Sequence, residues 1–202
     1  MVNKLPDHSE CPVDYCLLSF IDTHLHWYYQ AGFTPNMVTT LSILLGIGAA
    51  YAVQQQSYAW GALLFAIAYY LDCVDGKLAR RFNMVTMFGD YYDHFGDLFK
   101  FSLMLYVLYQ NRQRPLSAMQ QYFKYGVWFL TVMLMVHIGY SETLYPGEES
   151  VTLAPFKALV QLDTEPHRTI QWTKHFGNGT LILFVVTGIL LWDYYKVGRR
   201  NG

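Results

Sequence analysis

Hydrophobic and polar positions alternate in long blocks along this chain, not in the short periods of a soluble fold. Met37–Val53 (MVTTLSILLGIGAAYAV) is an uncharged apolar run. Trp60–Leu71 is uncharged but short, and spans only if it runs on into Asp72 and beyond. Thr86–Tyr109 has the required length only if Asp90, Asp93, Asp97 and Lys100 are tolerated inside it. Tyr122–Tyr140 is interrupted by Lys124 and His137, and Thr180–Trp192 closes on Asp193-Tyr194-Tyr195-Lys196, an aromatic and charged membrane edge. A spanning helix needs about 20 mostly apolar residues. The pattern therefore predicts an all-α, polytopic integral membrane protein with five clear transmembrane helices, or six.

The first 33 residues differ. Asp14–Tyr29 mixes Leu17, Leu18, Phe20, Ile21, Leu25 and Trp27 with Asp22, His24 and His26, which predicts one amphipathic helix lying in the membrane interface. No signal-peptide pattern precedes it. Thr34-Pro35-Asn36 then restarts the chain, Pro suiting the first turn of a helix. The expected organisation is a juxtamembrane segment over 1–33, a membrane-embedded domain over 34–197 and a basic tail over 198–202. With a cytoplasmic N-terminus, Lys77, Arg80 and Arg81 fall on the cytoplasmic side, as the positive-inside rule prefers. The tail Lys196, Arg199 and Arg200 follows the same rule only if a sixth crossing lies within 140–177, where the best apolar run, Val151–Leu162, is short and carries Lys157.

Composition narrows the function. Of 202 residues, 53% are hydrophobic and only 14% charged, which excludes a disordered chain. The net charge of −1 removes a global electrostatic case for nucleic acid. Three scattered cysteines cannot close a disulfide framework. Cys11-x4-Cys16 with His24-x-His26 offers metal-ligand residue types at a spacing that matches no common zinc motif. Asn178-Gly179-Thr180 is a glycosylation sequon that abuts the last span, so it is expected to stay unmodified.

Ionisable residues inside a span are expensive and tend to mark a site. Asp72, Asp75, Asp90, Asp93 and Asp97 fall within 26 residues. Asp72 and Asp75 stand three apart and Asp93 and Asp97 four apart, so each pair shares a helix face, and a short loop near Asn83 makes the two helices antiparallel neighbours. Carboxylates converging at low dielectric cannot all remain ionised without cations. Oxygen ligands select hard divalent ions, Mg²⁺ or Mn²⁺, and two such ions suit phosphoryl chemistry. The EF-hand pattern fails, because the twelfth position from Asp72 is Asn83 and not Glu. Gly76 and Ala79 leave a helix surface bare for close approach, Arg80 brings a fork of donors matched to phosphate oxygens, and Gly89 clears the facing helix. A cation transporter would also use membrane carboxylates, but it does not account for the intervening Gly, Ala and Arg.

Asp72-x2-Asp75-Gly76-x2-Ala79-Arg80-x8-Gly89-x3-Asp93-x3-Asp97 resembles the signature of the CDP-alcohol phosphotransferase (CDP-alcohol phosphatidyltransferase) family. Eight specified positions at about 5% each coincide by chance roughly once in 10¹⁰ starting points. Thr34-Pro35-Asn36, with Thr39 and Thr40, is similar to the family's approach to its first membrane helix. The resemblance implies a six-helix membrane core behind an interfacial helix, often in a homodimer. It also implies divalent-metal-dependent transfer of a substituted phosphate group from a CDP-linked donor to an alcohol hydroxyl, one of the two being a lipid, with release of CMP. By that pattern Asp72, Asp75, Asp93 and Asp97 are metal ligands. Asp97 and Asp93 are catalytic, Asp97 as the base toward the acceptor, and Asp72, Gly76, Ala79, Arg80 and Gly89 hold the CDP moiety. Asn36, Lys77, Asp90, His94 and Lys100 are candidate substrate contacts. Gly76-Lys77-x-Ala79-Arg80-Arg81-x-Asn83 with Asp93-His94 leans toward CDP-choline or CDP-ethanolamine with diacylglycerol. The alternative is CDP-diacylglycerol with a polar acceptor such as inositol, serine or glycerol phosphate. In a eukaryotic host the endoplasmic reticulum is the expected membrane.

Overall fold

A computed structural model describes residues 5–112, 117–145, 152–161 and 163–198. Eight α-helices are present among them and no strand: α1 Pro12–Asp22, α2 Leu25–Gln30, α3 Pro35–Gln54, α4 Tyr58–Arg81, α5 Met87–Gln110, α6 Ala118–Leu144, α7 Pro166–Thr173 and α8 Asn178–Gly198. A 3-10 helix, Ala154–Val160, precedes α7.

Local chemistry fixes the helix ends. The Thr34 hydroxyl accepts from the Met37 amide at 3.3 Å, and Pro35 opens α3 with the backbone angle a first turn needs. Thr86 caps α5 in the same way, accepting from the Gly89 amide at 3.0 Å. Ser117 and Gln120 form a reciprocal capping box at the start of α6. The α4–α5 turn passes through Asn83 at a φ of 53°, a left-handed conformation that Asn adopts more readily than most residues.

Helix α3 packs along α4 and α5, α4 reaches across to α8, and α6 packs against α8. Close approach relies on small residues: a Cβ on Gly96 of α5 would lie 2.8 Å from Ile43 Cδ1 of α3. The main apolar core joins Ala49, Val53, Phe65, Met104, Val185 and Ile189. The bundle is apolar outside as well as in its core, and it also buries polar groups. Trp60, Leu98 and Trp128 are more than 60% exposed, whereas Ser42, Asp75 and Lys100 are buried. That distribution suits helices surrounded by hydrocarbon, where internal polar groups must pair with one another. Three stretches, Pro35–Gln54, Ala118–Leu144 and Pro166–Trp192, are long and apolar enough to cross a membrane. Helices α4 and α5, of 24 residues each, reach about 36 Å, but their charged residues keep them below that apolarity.

Two expectations change. The stretch over 14–29 is two helices, broken where the Thr23 hydroxyl turns back and donates to the Phe20 carbonyl at 2.8 Å. Leu18, Ile21 and Leu25 bury against Val38, Val74 and Leu78, so the segment docks on α3 and α4 while Phe20 and Trp27 stay exposed. A sixth crossing is not found among the described residues of 140–177. The 3-10 helix and α7 have seven and eight residues, far short of a span. They fold back on α6, where Tyr140 donates to Asp163 Oδ2 at 2.6 Å. Residues 146–151, 162 and the tail 199–202 lie outside the described residues.

Asp14 ties α1 to the bundle, accepting from the Tyr69 hydroxyl and from the Gly179 amide. Burial raises the Asp14 carboxyl above its ordinary range, and burial with neighbouring Asp14 pushes Glu10 from 4.5 up to about 7. A buried acid binds its proton more tightly folded than unfolded, so the stability it lends is full below its unfolded value and is lost as pH rises through the folded one. Amide exchange over residues 12–22 is therefore expected to quicken as pH climbs toward about 7, after correction for intrinsic exchange. Glu10→Gln is expected to flatten the upper part of that rise, and an unaltered profile refutes the assignment.

Candidate active site

The α4–α5 turn reverses the chain so that the carboxylates of the two helices face one another. One oxygen from each of Asp72, Asp75 and Asp93 falls within 4.8 Å of the other two. Asp75 is buried and its Oδ2 accepts from the Thr39 hydroxyl at 2.6 Å. Asp93 Oδ1 is buried with no hydrogen-bond partner. An acceptor-only oxygen left unmatched among clustered carboxylates fits a hard divalent cation, which oxygen donors bind. Asp97 stands beside this group and not within it. Its Oδ1 lies 2.9 Å from Lys100 Nζ, which also donates to Asp72 Oδ1 at 2.7 Å.

Two cavities flank the carboxylates. The first, of about 550 Å³, is lined by Asn36 from α3, Asp75, Gly76, Ala79 and Arg80 from α4, and Gly89, Asp90 and Asp93 from α5. Gly76 has the Arg80 guanidinium 3.2 Å from where a Cβ would stand, and Gly89 has Asn36 Oδ1 at 3.3 Å, so a side chain at either position would crowd this wall. The second cavity, of about 440 Å³, is mostly apolar and runs between α4, α5, α6 and α8, with Asp97 and Lys100 on its wall. His94 and Leu153 line both. His94 Nδ1 is 2.7 Å from the Asp90 carbonyl, within its own helix.

Of the sequence-derived candidates, the structure brings Asn36, Asp72, Asp75, Gly76, Ala79, Arg80, Gly89, Asp90, Asp93, His94, Asp97 and Lys100 to this region. Lys77 is a correction. It points away from both cavities, fully buried, donating to the Leu18 carbonyl and pairing with Asp22 at the end of α1. Cys11, Cys16, His24 and His26 do not gather, since Cys11 meets Thr180 and His24 meets Tyr70. Sequence reasoning missed the supporting residues Ser42 and Gly46 on α3, and it named Thr39 only in the approach to the first membrane helix. Their positions on one face of a polar-dotted helix were the available signal.

Residues 33–196 match the family model for CDP-alcohol phosphatidyltransferase. The chain is 35% identical over 174 residues to a CDP-diacylglycerol–glycerol-3-phosphate 3-phosphatidyltransferase of Pseudomonas fluorescens, covering 82% of this chain and 88% of the relative. It is 28% identical over 123 residues to the archaetidylinositol phosphate synthase of Pyrococcus horikoshii, spanning 61% of each, less than two thirds of that relative's length. A 55-residue stretch is 46% identical to a CDP-diacylglycerol–glycerol-3-phosphate 3-phosphatidyltransferase of Bacillus subtilis, covering 27% of this chain and 28% of that one. No solved structure matches.

Because Lys77 serves the α1–α4 contact, Lys77→Met is expected to cost roughly 1–3 kcal/mol of stability and to leave divalent-ion affinity unchanged. Thermal unfolding and Mn²⁺ titration separate the two, and a lost ion affinity at an intact melting point would return Lys77 to the site.

Proposed function

The chain belongs to the CDP-alcohol phosphatidyltransferase family, and we propose that it transfers a phosphatidyl-type group from CDP-diacylglycerol to the hydroxyl of a polar acceptor, releasing CMP. One observation carries the reading: three carboxylates within 4.8 Å of one another, two of them, Asp75 and Asp93, on the wall of a cavity that Arg80, Gly76 and Gly89 also line. The lean toward CDP-choline or CDP-ethanolamine is given up. The relatives above are named for CDP-diacylglycerol or for archaetidylinositol phosphate. Two residues behind that lean have structural duties instead, Lys77 at the α1 contact and Asn83 in the left-handed turn.

In this reading the 550 Å³ cavity takes the cytidine diphosphate. Gly76, Ala79 and Gly89 present little side chain, so the diphosphate lies close to the helix backbones. Arg80 presents its guanidinium fork to the phosphate oxygens. Asp72, Asp75 and Asp93, with Asp97 beside them, hold Mg²⁺ or Mn²⁺, which when bound offsets charge on the diphosphate and its leaving oxygen. The donor's lipid part extends toward the mostly apolar second cavity, and the acceptor hydroxyl meets Asp97 at that cavity's wall, where 36% of the Asp97 side chain is exposed. The acceptor's hydroxyl oxygen forms a bond to the lipid-bearing phosphorus as the P–O bond to CMP breaks, the electron pair leaving with CMP. The hydroxyl proton passes to the Asp97 carboxylate, whose other oxygen stays oriented by Lys100. The helices embed the protein in the membrane that supplies the donor. Helices α4 and α5 complete five crossings with the three apolar stretches, their charges turned toward the site.

Purified protein in detergent is expected to release CMP from CDP-diacylglycerol only with a divalent ion and a polar acceptor present. A panel of donors and acceptors identifies the pair, and CMP release from CDP-choline with diacylglycerol alone would overturn the donor assignment. Asp97→Asn is expected to lower kcat about 10²–10⁴-fold while donor binding persists. Arg80→Ala is expected to weaken donor binding roughly 10–100-fold, the loss of one charged hydrogen-bonded contact.

A further inference from the structure

Lys100 occupies the middle of the acidic cluster in a seat that three helices build. Its ammonium donates to Asp72 Oδ1 on α4 at 2.7 Å and to Ser42 Oγ on α3 at 2.6 Å, and lies 2.9 Å from Asp97 Oδ1 on α5. Those three partners use all three ammonium donors. The Ser42 hydroxyl gives its own proton to the Ala68 carbonyl at 2.7 Å, which leaves its lone pairs for Lys100. Gly46, one turn further along α3, clears a channel for the stem: a Cβ there would lie 2.7 Å from Lys100 Cγ. The residue is only 5% exposed.

The rest of the cluster divides accordingly. Asp72, Asp75 and Asp93 converge with an unmatched Asp93 oxygen, whereas Asp97 lies outside that trio, on the lysine and in contact with Asp72 alone of the three. We propose that Lys100 is a built-in monovalent cation that takes the place of a second divalent ion, so that this chain binds one such ion where the family resemblance leads one to expect two. It is a positioning residue, holding Asp97 toward the second cavity through one carboxylate oxygen. The inference rests on the metal-dependent reading above. Its charge logic is local. A second ion between Asp72 and Asp97 would meet an ammonium already seated on one oxygen of each, and at low dielectric that repulsion, or the loss of the ammonium's three oxygen partners, opposes it. Before any donor binds, four carboxylates are matched by one divalent ion, Lys100 and Arg80.

The test counts ions and does not need turnover. Mn²⁺ binding to the purified full chain, without nucleotide, is measured by calorimetry and by the electron paramagnetic resonance of unbound Mn²⁺. Wild type is expected to bind one Mn²⁺ per chain, and Lys100→Met to bind two. Lys100→Gln keeps the polar stem end and is expected to behave as Lys100→Met, which guards against misfolding of the first variant. Two ions in wild type overturn the inference whatever the variants do, and so does one ion in all three proteins. No Mn²⁺ bound by wild type overturns the metal reading itself, and this inference with it.

Discussion

A carboxylate surrounded by apolar helices is tolerable only with positive charge or hydrogen-bond donors beside it, and the interior of this protein is arranged to meet that requirement. Thr39 donates to Asp75, Lys100 bridges Asp72 and Asp97, and Ser42 steadies Lys100. All three supporting groups stand on α3 or reach across to it. The tight seam between α3 and α5, made possible by Gly96 under Ile43 and Gly46 under the Lys100 stem, is therefore also what makes the acidic centre stable. Remove the close approach and the donors no longer reach the acids.

Placing the acids between two cavities of different character gives the site its division of labour. One side offers Arg80, Asn36 and bare glycine backbone, suited to a charged nucleotide. The other is largely apolar and opens among α4, α5, α6 and α8. Under the proposed reaction, a donor that carries both a charged nucleotide and apolar chains uses both, meeting at one set of oxygens. His94 and Leu153, on the walls of both, mark where they meet. Glu10 and Asp14 from the N-terminal segment, and Leu153 and Phe156 from the chain folded over α6, also line the second cavity.

Two residues show how a motif can mislead about substrate. Lys77 sits between motif positions, yet its rotation around α4 carries it to the α1 side, where it holds a helix C-terminus. Asn83 closes the turn that makes α4 and α5 antiparallel. Both are explained by folding, so neither reports on a head group. The same turn geometry serves the chemistry indirectly, since it sets the register that brings Asp72 and Asp75 opposite Asp93.

Much was legible in the sequence by itself. Apolar runs identified the helices because the hydrophobic effect and backbone hydrogen bonding act locally, and Asp72, Asp75, Asp93 and Asp97 were readable because helical periodicity fixes which residues share a face. Arg80, Gly76 and Gly89 followed from the same spacing. Tertiary structure alone decided the rest. It split the amphipathic N-terminal stretch at Thr23, with Leu25 burying beside Leu18 and Ile21 against α3 and α4, and it folded 152–161 and 163–173 against α6 instead of across the membrane. It also chose Lys100 over Lys77 for the acidic centre. Each lysine carries one charge on a flexible stem, and only the packing of α3 and α1 around them determines which carboxylates each can reach.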